Sequence, residues 1–218
     1  MTNNIYMIAL FPVISGYMID VVYLFVLSII IFIIHNIVVK NISFLAIKDE
    51  LTGLYTRKIL SKIKNLEDYS VIIVDIDYFK KINDNYGHDT GDYVLKLIAQ
   101  VLENTFRNNR TSNKDYTLRF GGEEFVILIH TPSLIEKELT KTAILQKLNN
   151  LLIKVQNMEI FTQDNSPRIV KLTISIGITF NFNKCNNFNK LFKIADEHLY
   201  FCKENGRNQI KYGELNDK

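Results

Sequence analysis

The hydrophobic pattern divides the chain in two. Residues 5–39 are almost wholly apolar, and residues 21–39, VVYLFVLSIIIFIIHNIVV, contain no Asp, Glu, Lys or Arg. At ~1.5 Å per residue the second stretch is about 28 Å long as a helix, close to the hydrocarbon thickness of a bilayer, and it predicts a membrane-spanning helix. Residues 5–19 are interrupted by Pro12 and Gly16 and reach roughly 22 Å, short for a second independent span. A short or tilted second span, a partner helix and an interfacial segment all remain open for them.

From residue 41 the pattern changes to short apolar runs separated by polar connections. Residues 41–48 read as a linker. In DELTGLYTRKILSKIKNL, starting at Asp49, the apolar residues Leu51, Leu54, Tyr55, Ile59 and Ile63 predict a helix with one buried face, weakened at Gly53. SVIIVDIDYF, residues 70–79, has the β-branched density of a buried strand and ends in carboxylates. Asp89 can cap a helix carrying Val94, Leu95, Ile98, Val101 and Leu102. Residues 116–120 and 125–129 predict the two strands of a hairpin around a glycine turn. A long helix at 135–155, a short strand at 158–161 and a strong strand at 169–179, behind Asn165, Ser166 and Pro167, follow. The last element is a helix at 188–203 that ends near Gly206. The series predicts an α/β fold, a mixed sheet with helices packed against it.

Charge sharpens the division. None of the 26 Lys and Arg residues precedes Lys40, and of the 23 acidic residues only Asp20 does. Lys40, Lys48 and the basic residues beyond them put the C-terminal part in the cytoplasm by the positive-inside rule. A cleaved signal peptide would begin with a basic region and end at a small-residue site, and neither is evident. A core helix is the other alternative, but so long an apolar run is hard to bury in so small a domain. Cys185 and Cys202 are the only cysteines, which excludes a disulfide framework and fits a reducing compartment. His198 and Cys202 stand four apart, a spacing compatible with a metal; lacking further Cys or His nearby, they read as ordinary helix residues.

Candidate chemistry gathers at two acidic elements. If the strand runs through Asp77, Asp75 and Asp77 project to one face, and two carboxylates there need a proton or a hard cation such as Mg2+ or Mn2+. RFGGEEF, residues 119–125, sets Glu123 and Glu124 on a turn whose glycines let a phosphate or metal approach the backbone. Plainer readings stand beside these: strands end in Asp where the chain re-enters solvent, and glycine turns tolerate glutamates. If the turn lies beside the end of the strand, three or four carboxylates converge, as two-metal nucleotidyl transfer requires.

Between the acidic elements, FKKINDNYGHDTGD holds Lys80, Asn83, His88 and Asp92. A carboxylate can accept hydrogen bonds from N1 and N2 of guanine, a pattern adenine does not present, so an Asp and an Asn in one pocket suit guanine. In KENGRN, Lys203 and Arg207 stand four apart around a helix end, placed to hold phosphates or simply to flank a solvated, glycine-capped terminus.

DELTGLYTR, VDIDYFKKINDNYGHDTGDYVL, RFGGEEF, TISIGIT and ADEHLYFCKENGRNQI, in this order and approximate spacing, resemble the GGDEF domain, the catalytic domain of diguanylate cyclases. The resemblance runs from Asp49 to about Tyr212. It divides the chain into a membrane segment at 1–40, the linker at 41–48, a catalytic domain at 49–213 and a tail at 214–218. It implies a polymerase-palm-like (ferredoxin-like) mixed sheet flanked by helices, which here follows the N-terminal transmembrane helix read from the apolar run. The implied activity is condensation of two GTP into cyclic di-GMP with release of two pyrophosphates. By motif position, Asp75 and Glu123 match metal ligands, the Ile76 carbonyl assists, and Glu124 lies close to two Mg2+ or Mn2+ ions per GTP. Glu123 also matches the group that activates the 3′-hydroxyl. Asn83 and Asp92 match guanine-binding positions, His88 a substrate-pocket position, and Lys80, Lys203 and Arg207 phosphate contacts. Each copy would hold one GTP, so the implied partner is a second copy at the cytoplasmic membrane, with no nucleic acid.

Two positions depart from the family pattern. The inhibitory product site has an Arg-x-x-Asp motif; Asp115 occupies its Asp place, Ser112 stands where the Arg belongs, and Arg107 and Arg110 are displaced by an insertion in NNRTSNK. Product capture there relies on an Arg fork, so weak or absent product inhibition is expected. Thr56 stands where Asn is usual and should affect local packing only. GGEEF keeps an acid at the third position, which argues against a degenerate site. The alternatives are a catalytically silent regulator that binds GTP or cyclic di-GMP, and a cyclase that also accepts ATP, which Asp92 disfavours.

Overall fold

The computed structural model describes residues 21–39, 47–106, 115–131, 136–162 and 167–215. Helix α1, Val21–Val39, is one continuous 19-residue helix, long and apolar enough to cross a membrane by length and composition, with every side chain exposed. The apolar residues 5–19 lie outside the described residues. A separate compact unit begins at Ile47.

That unit is built on a six-stranded sheet of order β1-β3-β4-β2-β7-β8. The strands are β1 (Tyr55–Thr56), β2 (Tyr69–Ile76), β3 (Tyr116–Gly121), β4 (Glu124–His130), β7 (Ile174–Phe180) and β8 (Ile210–Glu214). A separate pair, β5 (Ile160–Phe161) and β6 (Ile169–Val170), stands outside it. The helices are α2 (Phe79–Tyr86), α3 (His88–Phe106), α4 (Lys137–Gln156) and α5 (Phe188–Glu204). Central β2 is antiparallel to both neighbours, β4 and β7, and every residue from Ser70 to Ile76 is buried. A strand covered on both faces has no reason to alternate polar and apolar residues, which is why SVIIV reads as one hydrophobic run.

Side chains still alternate between faces. Ile72, Val74 and Ile76 join Phe79, Ile82, Val94, Ile98 and Leu148 in one core, whereas Val71 and Ile73 join Leu118, Val126, Leu128, Leu191, Ala195 and Leu199 in another. Thus α2, α3 and α4 cover one face and α5 the other, the mixed α/β fold that the pattern predicts. The odd positions of β2 face α5, so Asp75 does too.

Three expectations are corrected, and one strand was not foreseen. The run from Asp49 is not one helix: the Asp49 carboxylate accepts hydrogen bonds from Thr52 N and Oγ1, Gly53 turns at φ 72°, and Tyr55–Thr56 pairs parallel with β3. Only Arg57–Lys62 is helical, as a 3-10 helix. The strand expected at 169–179 is two strands, because Ile169–Val170 pairs with β5 and the chain re-enters at Ile174 to pair with β2. Strand β2 stops at Ile76, and Tyr78, at φ 57°, turns the chain directly into α2. Strand β8, parallel to β7, was not evident in the pattern.

Gly177 of β7 sets how near α5 can come. A Cβ there would lie 2.1 Å from Ala195 O and 2.5 Å from Leu199 N, both backbone atoms that cannot rotate away. Gly177→Ala is therefore expected to push α5 off the sheet and destabilise the unit by about 3 kcal/mol or more. A thermal midpoint equal to that of the wild type would contradict this packing.

Candidate active site

The end of β2 and the turn between β3 and β4 come together because of strand register. Asp75 on β2 is paired with Glu124 on β4, which sets the GGEE turn beside the strand end. Gly122 takes φ 51° within that turn, and Arg119 holds it by donating from Nε to Gly122 O at 3.0 Å. Arg119 is itself fixed by Asp49, Nη1 lying 3.2 Å from Oδ1. Asp49 and Arg119 were not singled out in the sequence, although both stand inside its quoted motifs. An acid and a base in two motifs that meet was the signal that could have found them.

Asp75 is buried, and Lys203 near the end of α5 reaches it, Nζ to Oδ2 2.8 Å. Burial pushes the Asp75 carboxyl above the usual carboxylate range; the Lys203 ammonium opposes this, and Glu123 and Asp77 add to it. Glu124 is half-buried and likewise raised, first by burial and then by Asp75, with Lys203 opposing and Asp196 and Glu123 reinforcing. One pocket is lined by Asp75, Ile76, Lys80, Glu123, Lys203 and Arg207, together with residues 77–79. Glu124 lines an adjacent hollow with Asp196, Tyr200 and Lys203.

Asp77 does something else. Its carboxylate, on the face of Ser175 and Asp75, accepts hydrogen bonds from Thr173 Oγ1 (2.6 Å), Ser175 Oγ (2.7 Å) and Asn208 N (3.1 Å). It is a buried tie between β2, the start of β7 and the connection after α5, with both carboxylate oxygens engaged by protein donors. Convergence is also looser than expected. Among the described residues no three His, Cys, Asp or Glu side chains are grouped so as to hold a metal ion. The counter-charge on Asp75 is the Lys203 ammonium. Of the three carboxylates that line the pocket, Asp77 is taken up by its hydrogen bonds; Asp75 and Glu123, with the Ile76 backbone, offer hard oxygens, and Asp75 is desolvated with Glu123 repelling it. That donor set fits Mg2+ or Mn2+.

The remaining candidates stand apart. Asn83 on α2 packs over Gly91 of α3, where a Cβ would lie 1.8 Å from Asn83 Oδ1. His88 and Asp92, at the start of α3, are exposed. None of the three lines the pocket of Asp75 and Glu123. Asp115 accepts the His130 N–H at 2.9 Å, while Arg107, Arg110 and Ser112 lie outside the described residues. His198 Nδ1 lies 2.8 Å from Ile178 O, and Cys202 Sγ donates to Ile176 O, so both contact the backbone of β7.

The raised Glu124 carboxyl fixes a pH dependence. The folded state holds this proton more tightly than the unfolded chain, whose value is near 4.5. Its contribution to stability is therefore fully present below that pH and lost as pH rises through the folded-state value. Glu124→Gln is expected to raise the thermal midpoint at pH 8 and to leave it unchanged at pH 4. Equal midpoints at both pH values would contradict the assignment.

A family model for the diguanylate cyclase GGDEF domain matches residues 46–209. Diguanylate cyclase DosC of Escherichia coli strain K12 is 34% identical over 172 residues, covering 75% of this chain and 34% of DosC. The chain thus spans about a third of the length of the curated relatives it matches, for which the shares are 34% to 39%. The coiled coil and GGDEF domain of DgcB from Caulobacter crescentus, solved in complex with c-di-GMP, shares the fold at a TM-score of 0.69. Identity to it is 20%, with 92% of this chain and 99% of that one covered. A truncated TpbB (YfiN) of Pseudomonas aeruginosa comprising only the GGDEF domain has a TM-score of 0.64 at 29% identity, covering 78% and 95%.

Proposed function

This chain belongs to the diguanylate cyclase GGDEF domain family, and from that premise we propose that it joins two GTP into cyclic di-GMP, releasing two pyrophosphates. The observation that carries the reading is the shared pocket: Asp75, Ile76 and Glu123 line it together with Lys80, Lys203 and Arg207. Acidic oxygens and cations gathered in one pocket suit a triphosphate with its divalent counter-ions.

In this reading the 3′-hydroxyl of one GTP attacks the α-phosphorus of the other. An O–P bond forms, the bond from that phosphorus to the bridging oxygen breaks, and pyrophosphate leaves; Glu123 takes the hydroxyl proton. Repetition with the roles exchanged closes the ring. Asp75, Glu123 and the Ile76 carbonyl would hold Mg2+ or Mn2+, with Glu124 nearby, and the metal would supply charge neutralisation at the phosphates. Lys80, Lys203 and Arg207 bind phosphate oxygens, and Lys203 exchanges some of its contact with Asp75 for them. Asn83, His88 and Asp92 take the guanine. Since each copy holds one nucleotide, two copies must face each other, and α1 as a membrane anchor would keep two copies at high local concentration. With Lys40 and Lys48 following α1, the catalytic unit lies on the cytoplasmic side. Asp115 without its usual Arg leaves product inhibition weak.

Incubation of the full chain with GTP and Mg2+ tests the reading against a silent regulator. A cyclase consumes GTP to a cyclic dinucleotide; a regulator binds GTP and leaves it intact.

A further inference from the structure

We propose that Tyr78 is a positioning residue for the phosphate side of this site: its ring and hydroxyl hold the Arg207 guanidinium ready for the triphosphate. The inference rests on the reading of Arg207 as a phosphate contact. Tyr78 is 53% exposed, so it is not a core aromatic. It sits immediately before α2 at φ 57°, a left-handed conformation uncommon for a bulky residue. Arg207 Cζ lies 4.3 Å from the centre of its ring, and Arg207 Nη1 donates to its hydroxyl at 3.1 Å. The ring face holds the guanidinium by a cation–π contact, and the hydrogen bond to the hydroxyl restricts its rotation.

The backbone beneath is held at a second point. Arg207 and Asn208 both take left-handed conformations, at φ 61° and 45°, and Asn208 N donates to Asp77 Oδ2 at 3.1 Å. Consecutive residues 77 and 78 thereby clasp consecutive residues 208 and 207, joining the start of α2 to the connection between α5 and β8. Lys81 Nζ lies 4.3 Å from the centre of the same Tyr78 ring. Neither Lys81 nor Arg207 has a carboxylate partner among the described residues. Two cations gathered at one exposed ring, without an acid to neutralise them, suit an incoming polyanion. A guanidinium already stacked also has less rotamer freedom to lose when that anion binds.

The test measures affinity of the full chain in detergent for GTP and for guanosine, which lacks phosphates. Tyr78→Ala is expected to weaken GTP binding about tenfold and leave guanosine binding unchanged. Tyr78→Phe, which keeps the ring, is expected to weaken GTP binding threefold or less. Tyr78→Asn, which tolerates the left-handed backbone, should behave as Tyr78→Ala and so separates ring from backbone. Tyr78→Ala combined with Arg207→Ala should bind GTP no more weakly than Arg207→Ala alone. Wild-type GTP affinity in Tyr78→Ala, equal losses for guanosine, or multiplying effects in the double variant would each overturn the inference while wild-type binding leaves the nucleotide reading standing. If the wild type binds no GTP, both fall.

Discussion

Glu123→Gln is expected to lower the formation of cyclic product by a hundredfold to ten-thousandfold, about the range for loss of a general base. The substitution is close to isosteric. Glu123 is partly exposed in a turn whose backbone is held by Arg119 through Gly122 O, so the fold has no reason to change. What changes is chemistry: the amide cannot take the hydroxyl proton, and it is a poorer ligand for a divalent ion beside Asp75. The measurement is product formation by chromatography at saturating GTP over a series of Mg2+ concentrations, with the thermal midpoint as the control for folding. Activity within tenfold of the wild type would remove Glu123 from the chemistry.

Asp92→Ala is expected to reduce kcat/KM for GTP by tenfold to a hundredfold. A hydrogen bond to a charged group contributes roughly 1.5–3 kcal/mol, and about 1.4 kcal/mol is a factor of ten. Asp92 is exposed and makes no ion pair among the described residues, so its loss should leave stability unchanged. The selectivity for GTP over ATP should fall with it, because in the proposed reading the carboxylate would accept from the two guanine donors that adenine lacks. Steady-state kinetics with both nucleotides give the ratio, and an unchanged preference for GTP would place guanine elsewhere.

The periodicity of residues 70–76, 94–102 and 188–203 was enough to place the central strand and two of the helices, because burial imposes an apolar pattern at the period of each element. The first helix failed for a local reason: Leu51, Leu54 and Ile59 have helical spacing, but the Asp49–Thr52 hydrogen bonds and the left-handed Gly53 compete successfully for the backbone. Strand β8 is legible only after the sheet exists, since KYG has little hydrophobic pattern and gains its order by pairing at an edge. At the site, strand alternation and the glycine turn left the meeting of Asp75 and Glu123 conditional, and only the family resemblance joined them; both line one pocket. The same alternation put Asp77 on the face of Asp75 but could not show its partners, the Thr173 and Ser175 hydroxyls and Asn208 N. Tyr78 was invisible because its contact to Arg207 spans 129 residues of chain.

The central claim is that two copies of this chain turn two GTP into one ring. Its most direct test is the stoichiometry of the full chain in membranes or detergent with GTP and Mg2+. One cyclic di-GMP for every two pyrophosphates, absent with Glu123→Gln, is the expected result. A dimeric wild-type protein that binds GTP and returns it intact, or releases GDP and phosphate, would contradict it.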